Sequence, residues 1–426
     1  MLAASQRAWK FLIVAVLVLI VTAVYLQDST FSARSKEYFK DFLKTHGASE
    51  QSASGVDASF DEAGLNPSFD VPADPPSELS SVDTDGTTPP VAEDDSGYAH
   101  DKTFFELDLE DYPLPSFDAS KLREIPPHNY KGPGHSTYAL LFTSRNSSIH
   151  DPYFLSTHEV IYRLLWKPET KSKSHPVVIF VAPHVTEEIR GSFEAVGAIV
   201  REVELLPFHP HTSDGHVLSH RFRDVFTKIR MWSETDFSKI AFIDSDAYPL
   251  VNVDALLDDK ALVPDQICNP SLMSPEDVAH VDELCGYIFT GARDLGFHSM
   301  VNAGVMVFTP NHAMYDLLLR EMKNTSNFDP GYPEQAFLSY VFREDGPFPA
   351  GEISAAWNGD PKYQDEHGDL RILHAKLWVL MFQSEHWTDG LFMTTWKELV
   401  AFYEGDEFAR LREMDQVVSE ESMRGG

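Results

Sequence analysis

The stretch Lys239–Leu250, KIAFIDSDAYPL, decides how the chain is read. An apolar run of strand-like composition, KIAFI, stops at Asp244, and a second carboxylate follows at Asp246. In extended backbone, residues two apart project to the same side, so both acids aim at one point. Two adjacent carboxylates repel unless a cation lies between them or one takes a proton. An oxygen-rich pair of this kind suits Mg2+ or Mn2+, and those ions suit diphosphates. The plain alternative is a pair of acids opening a turn before Pro249, which is common at strand ends.

Three strand and helix units precede the stretch. YALLFT (Tyr138–Thr143) reads as a buried strand, followed by a helix through FLSTHEVIYRLLW. VVIFVA (Val177–Ala182) and the helix VTEEIRGSFEAVGA come next, then the strand IVREVELL and the helix RFRDVFTKIRMWSE. KIAFI is thus a fourth strand. Strands alternating with helices at this spacing predict an α/β domain whose mostly parallel sheet is covered on both faces. Ligands in such sheets bind beyond the carboxyl ends of the strands, where Asp244 and Asp246 lie.

The formal net charge of −32 is unevenly spread: residues 50–111 hold 17 acids and one lysine, half of the total. No basic face of the kind a phosphate backbone requires is present, which excludes nucleic acid as a partner. Residues 27–134 are rich in Ser, Pro, Asp and Gly and read as a disordered, self-repelling stem, with FFELDLEDYPL near Phe104 able to pack on the domain. At the N-terminus, residues 11–26 form an apolar run broken only by Thr22, behind Arg7, Trp9 and Lys10. We read a cytoplasmic tail at 1–10 and a transmembrane signal-anchor at 11–26, which predicts a single-pass type II protein of the Golgi membrane. A cleaved signal peptide, with small residues around Val21-Thr22-Ala23, is the competing reading. Asn146-Ser147-Ser148 and Asn324-Thr325-Ser326 match the glycosylation pattern. Cys268 and Cys285, the two cysteines, fit either a disulfide or two buried thiols.

Two blocks resemble the glycogenin-like glycosyltransferases, glycosyltransferase family 8 of the nucleotide-diphospho-sugar transferase superfamily. RFRDVFTKIRMWSETDFSKIAFIDSDAYPLVNVDAL resembles its donor-binding segment, and GARDLGFHSMVNAGVMVFTPN the block that follows. The likeness runs over roughly residues 138–378. It implies a GT-A-like, Rossmann-type domain at 135–400, with a C-terminal helix and acidic tail at 401–426. It also implies Mn2+ (or Mg2+) held by Asp244, Asp246 and His374, the last from LRILHAKLW. Donor contacts carried over are Thr143, Ser144 and Tyr153 for uridine, Lys228, Ser245 and Lys376 near the phosphates, and Asn302, Ala303 and Gly304 with Asp294 near the sugar. Asp294, Glu334 and Gln335 stand where the family places groups about the anomeric carbon.

The resemblance implies retaining transfer from a UDP-sugar to a glycan, glycoprotein or glycolipid acceptor. Two departures bear on it. Glu334-Gln335 in DPGYPEQAFLSYVF replaces the family's Asp-Gln, and the closing His, Gly, Lys-Pro-Trp pattern is shortened to HAKLW. These departures support an alternative, a catalytically impaired relative that binds UDP or glycans and scaffolds other transferases. A phosphohydrolase built on Asp-x-Asp would instead carry Gly-Thr after the second acid, where this chain has Ala247-Tyr248. The His-rich loop FHPHTSDGHVLSH reads as a solvated loop, a lid or an acceptor contact, with metal binding the lesser reading.

Overall fold

The computed structural model describes residues 105–206, 222–294, 300–329, 331–361, 369–379 and 387–425. All lie in the compact unit Glu93–Gly426. The expected units appear in order: β1 (Ser136–Phe142), α1 (Pro152–Leu165), β2 (Val177–Val181), α2 (Glu187–Ala195), β3 (Ile199–Glu202) and β4 (Lys239–Ile243). After the short strand β5 (Ala247–Pro249) come β6 (Phe289–Arg293), β7 (Val301–Phe308), α3 (His312–Glu321), α4 (Pro333–Val341), β8 (Gly351–Ile353) and β9 (Ile372–His374). Helices α5 (Leu391–Tyr403) and α6 (Asp406–Gly425) end the chain; one-turn helices are left unnumbered. Side chains cap the earlier helices where the sequence offers them. Asp151 accepts from Tyr153 N at 3.1 Å, and Asn311 from Met314 N at 3.0 Å.

The main sheet has seven strands in the order β3-β2-β1-β4-β7-β6-β8, and β5 pairs separately with β9. Strands β3, β2, β1 and β4 are parallel, as are β6 and β8, whereas β7 is antiparallel to both β4 and β6. Six of its seven strands therefore run the same way and β7 is reversed, so the sheet is mixed but mostly parallel, as the alternation of strands and helices implies. Strand composition records burial but not direction, and β7 enters beside β4 the opposite way round.

The pleat divides the core between two faces. Tyr138, Leu140 and Phe142 of β1 and Ala241 and Ile243 of β4 face α1, α2 and α5. Ala139 of β1 and Ile240 and Phe242 of β4 face α3, α4 and the segment Val225–Ser233. That segment is a 3-10 helix rather than the amphipathic α-helix its sequence suggests. Phe226, Thr227, Lys228, Ile229, Met231 and Trp232 are all buried, which leaves Val225, Arg230 and Ser233 as its partly exposed residues. Phe105, Leu109, Tyr112, Leu114 and Phe117 pack on the first face, and Trp396 Nε1 donates to Pro113 O at 2.6 Å. Cys268 and Cys285 are joined as a disulfide.

Among the described residues no helix is long and apolar enough to cross a membrane. The longest, α6, has 20 residues but carries Asp406, Glu407, Arg410, Arg412, Glu413 and Asp415 along its length. This runs against the expected transmembrane helix, and with it against the membrane as a partner and the single-pass Golgi placement, none of which any described helix supports. The apolar run at 11–26 that prompted them lies outside the described residues, as do residues 27–104 of the expected stem and the His-rich loop at 208–220.

Candidate active site

Strand β4 ends at Ile243, and the chain turns at once: Asp244 N donates to Gly304 O of β7 at 2.8 Å, and Ala247 N returns to Asp244 O at 2.9 Å. The turn is braced from behind. Tyr248 and Ser156 of α1 hydrogen-bond at 2.5 Å, and Ser156 donates to the carbonyl of Ser245, also at 2.5 Å. Strand β9 pairs with β5 so that His374 stands opposite Ala247, and Ala375 N donates to Asp246 O at 3.0 Å. Segments far apart in sequence thereby meet. Ligand atoms of Asp244, Asp246 and His374 lie within 4.8 Å of one another and can hold a divalent cation.

Two lysines serve these acids. Lys228 Nζ lies 3.0 Å from Asp244 Oδ1 and 2.9 Å from Glu334 Oε1, above the ring of Phe242. Burial works against its charge, but Asp244 and Glu334 outweigh burial and its pKa is raised. Lys376 Nζ donates to Asp246 Oδ2, and His374 Nε2 is 3.1 Å from Asp246 Oδ1. Burial opposes the Asp246 carboxylate, yet Lys376 and His374 hold it well below the usual range. Burial pushes Asp244 up, against Lys228 and with the repulsion of Asp246. The two acids are thus held unequally, Asp244 pushed up chiefly by its burial and Asp246 held down by Lys376 and His374.

The donor set of two carboxylates and an imidazole fits Mn2+ or Mg2+, with Mn2+ better served by the nitrogen. The backbone has made room for it. A Cβ at Gly304 would meet His374 Cε1 at 2.2 Å and Nδ1 at 2.6 Å, so only glycine admits the ring here. In HAKLW, Lys376 and Trp378 approach Tyr153: the Trp378 and Tyr153 rings meet edge to face at 5.1 Å, and Lys376 Nζ lies 5.9 Å above the Tyr153 ring. The shortened closing motif therefore still reaches both the acids and the tyrosine.

The sugar-side candidates form a second group. Asn302 Nδ2 and Gln335 Nε2 each donate to Asp294 Oδ2 at 2.9 Å. Asn302 Oδ1 accepts from Gly304 N at 2.9 Å, and Gln335 Oε1 from Ala303 N at 3.2 Å. Glu334 turns away from this group to Lys228. Thr143 and Ser144 follow β1, whose parallel neighbour is β4; both carbonyls accept from His184 Nε2 at 3.2 Å, and no bond links them to the acids among the described residues.

Sequence reasoning missed Asn358, which bridges the two groups. Its Oδ1 is 2.8 Å from His374 Nδ1, and its Nδ2 donates to Asn302 Oδ1 at 2.8 Å. An asparagine in WNGD carries the signature of a turn, and nothing in the spacing announces a second role.

No protein-family model matches the chain. Two uncharacterised proteins of Schizosaccharomyces pombe match it at 28% identity over 58% of this chain and 74% of theirs, and at 25% over 54% and 69%. Galactinol synthase 1 of Solanum lycopersicum is 32% identical over 41% of this chain, which spans only 53% of the synthase. Among solved structures, an active-site mutant of LgtC is similar at 12% identity and a TM-score of 0.40, over 62% of this chain and 95% of that one. Mouse xyloside xylosyltransferase 1 is similar at 12% identity and a TM-score of 0.37, over 57% and 99%. With its mixed sheet and Asp–Asp–His cluster, the chain is a relative of the glycogenin-like, family 8 nucleotide-diphospho-sugar transferases.

Proposed function

We propose that the chain transfers a sugar from a UDP-sugar to a hydroxyl of a glycan or glycoconjugate, with Mn2+ held by Asp244, Asp246 and His374 and with retention of anomeric configuration. The observation that carries the reading is the joining of that cluster to two lysines, Lys228 and Lys376, at the carboxyl end of β4. The bond from the anomeric carbon to the diphosphate oxygen breaks with its electrons on UDP. The acceptor oxygen bonds that carbon and releases its proton. A bound divalent cation supplies Lewis-acid stabilisation of the charge that gathers on UDP. Lys228 and Lys376 add fixed positive charge at the same place. Asp294, Asn302 and Gln335 hold sugar hydroxyls, while Thr143, Ser144 and Tyr153 bind uridine, with Tyr153 set by Trp378.

Titration calorimetry of UDP with and without Mn2+, followed by hydrolysis of a UDP-sugar panel that includes UDP-galactose, tests the reading. Tight UDP binding only with Mn2+, lost in Asp246→Asn, is expected. Equal UDP affinity with and without metal refutes it. One observation favours a second reading: the carboxylate of Glu334 is engaged by Lys228 rather than directed to the Asp294 group. A catalytically impaired relative would bind UDP with Mn2+ yet turn over no donor in the panel.

A further inference from the structure

We infer that Asn358 is a positioning residue of the metal site, selecting the nitrogen that His374 presents to Asp246 and joining that ligand to the sugar-side carboxylate Asp294. The inference rests on the reading of Asp244, Asp246 and His374 as metal ligands. Its starting point is a hydrogen that cannot change owner. The backbone N–H of Gly304 donates to Asn302 Oδ1, so that atom is the amide oxygen and Asn302 Nδ2 faces Asp294. The same oxygen lies 2.8 Å from the Asn358 side chain, which must therefore offer its NH2 there and turn its own oxygen to His374 Nδ1, also at 2.8 Å. An amide oxygen only accepts, so Nδ1 carries the hydrogen. With a cation held beside Asp246 the ring would be neutral, its one hydrogen on Nδ1, and Nε2 would turn its lone pair to the cation; without one, Nε2 faces the Asp246 carboxylate at 3.1 Å and takes a hydrogen of its own. The other tautomer would set two lone pairs against each other at Asn358.

The fold gives Asn358 no freedom to reverse. It follows the 3-10 turn Ala355–Trp357 and is buried, 5% exposed. Gly359 N donates to Ile372 O at 3.1 Å and His374 N to Gly359 O at 2.9 Å, which clamps the segment along β9. At the far end of the chain of bonds, Gln335 is oriented by its own backbone donor, Ala303 N. Every link between Gly304 and His374 thus has a direction set by the main chain. A donor hydroxyl that bonds Asp294 or Asn302 meets one end of a network whose other end is a metal ligand. Partners of this kind commonly contribute ~10 to 100-fold to metal affinity.

The test uses the full chain and the variants Asn358→Leu, which makes no hydrogen bond, and Asn358→Asp, which keeps an acceptor toward His374. Long-range nitrogen–proton NMR of the imidazoles, assigned with His374→Gln and recorded with excess Mg2+, the diamagnetic ion, reads the tautomer without nucleotide. Calorimetry of UDP with and without Mn2+ reads the metal. The expected result is an Nδ1–H tautomer in the parent and in Asn358→Asp. In Asn358→Leu the tautomer should be lost, with Mn2+-dependent UDP binding weakened ~10 to 100-fold and metal-free UDP binding unchanged. An Nε2–H tautomer in the parent, or unchanged Mn2+ dependence in Asn358→Leu, overturns the inference. If Asn358→Leu does not fold, Asn358→Asp decides: loss of the Nδ1–H tautomer there overturns it. Absence of any UDP binding in a parent chain that shows the expected tautomer would sink the nucleotide reading while leaving the hydrogen-bond assignment standing.

Discussion

Replacing Gly304 with alanine tests the site through geometry rather than charge. The added methyl would sit 2.2 Å from His374 Cε1 and 2.6 Å from Nδ1, where ordinary contact begins at 3.4 Å. The imidazole must therefore retreat by about 1 Å, since the methyl is carried on β7, whose backbone is tied to Asp244. Overpacking of this kind costs ~1 to 3 kcal/mol of folding stability. The effect on the metal is larger in proportion, because metal–ligand distances tolerate only about 0.2 Å. We expect Gly304→Ala to melt earlier and to lose Mn2+-dependent UDP binding by one to two orders of magnitude. A double-mutant cycle with His374→Ala locates the cause. With the ring gone, the methyl's nearest remaining contact is Asn302 Oδ1 at 3.0 Å, and the stability cost of Gly304→Ala should fall well below ~1 kcal/mol. An equal cost in both backgrounds refutes the claim that Gly304 exists to admit His374.

Burial alone pushes the His158 imidazole down to about 3, between Phe154 and Phe193. Below its ordinary pKa the unfolded chain takes a proton that the folded chain refuses, so stability falls as pH drops from about 6.5 toward 3. His158→Phe should recover ~1.4 kcal/mol at pH 5.5 relative to pH 7.5, and equal pH slopes for parent and variant in denaturant titrations would refute this. Arg163 Nη2 is 2.8 Å from Glu159 Oε1 with both side chains buried, so Arg163→Met should cost ~3 to 5 kcal/mol. Adding Glu159→Leu should return most of that cost, and chemical denaturation of the two variants measures it. The Cys268–Cys285 disulfide closes a separation of 17 residues, and Cys285→Ser with Cys268→Ser should lose ~3 kcal/mol by the same method.

The half of the sheet before Asp244 was legible in the sequence because β1, β2 and β4 carry near-continuous apolar runs and α1 and α2 begin at capping side chains. The direction of β7 was not, because VNAGVMVF has the same composition whichever way it runs. Asp244, Asp246 and His374 could be named from the family likeness, and Lys376 stands on Asp246 despite the shortened motif. Lys228 illustrates what periodicity hides: it occupies a segment whose pattern suggests a solvated side chain, and it is buried because Asp244 and Glu334 together balance its charge. Asn358 was invisible for a different reason. Its function depends on the orientation of an amide, which follows from a backbone donor on another strand.

The reversal of β7 settles which parts of the site share a scaffold. Because β7 runs against β4, its first residues lie beside the last of β4, and Asp244 N to Gly304 O is the seam between them. Under the proposed function, the groups on the forward side of the seam serve the part common to every nucleotide sugar. Those on the reversed side, Asp294, Asn302 and Gln335, come from the β6 to β7 hairpin and α4, a contiguous piece of chain. On that same proposal, selectivity for one sugar over another can drift by substitution within that piece while the grip on the diphosphate is conserved, and grafting the piece between relatives is the natural way to exchange one preference for another.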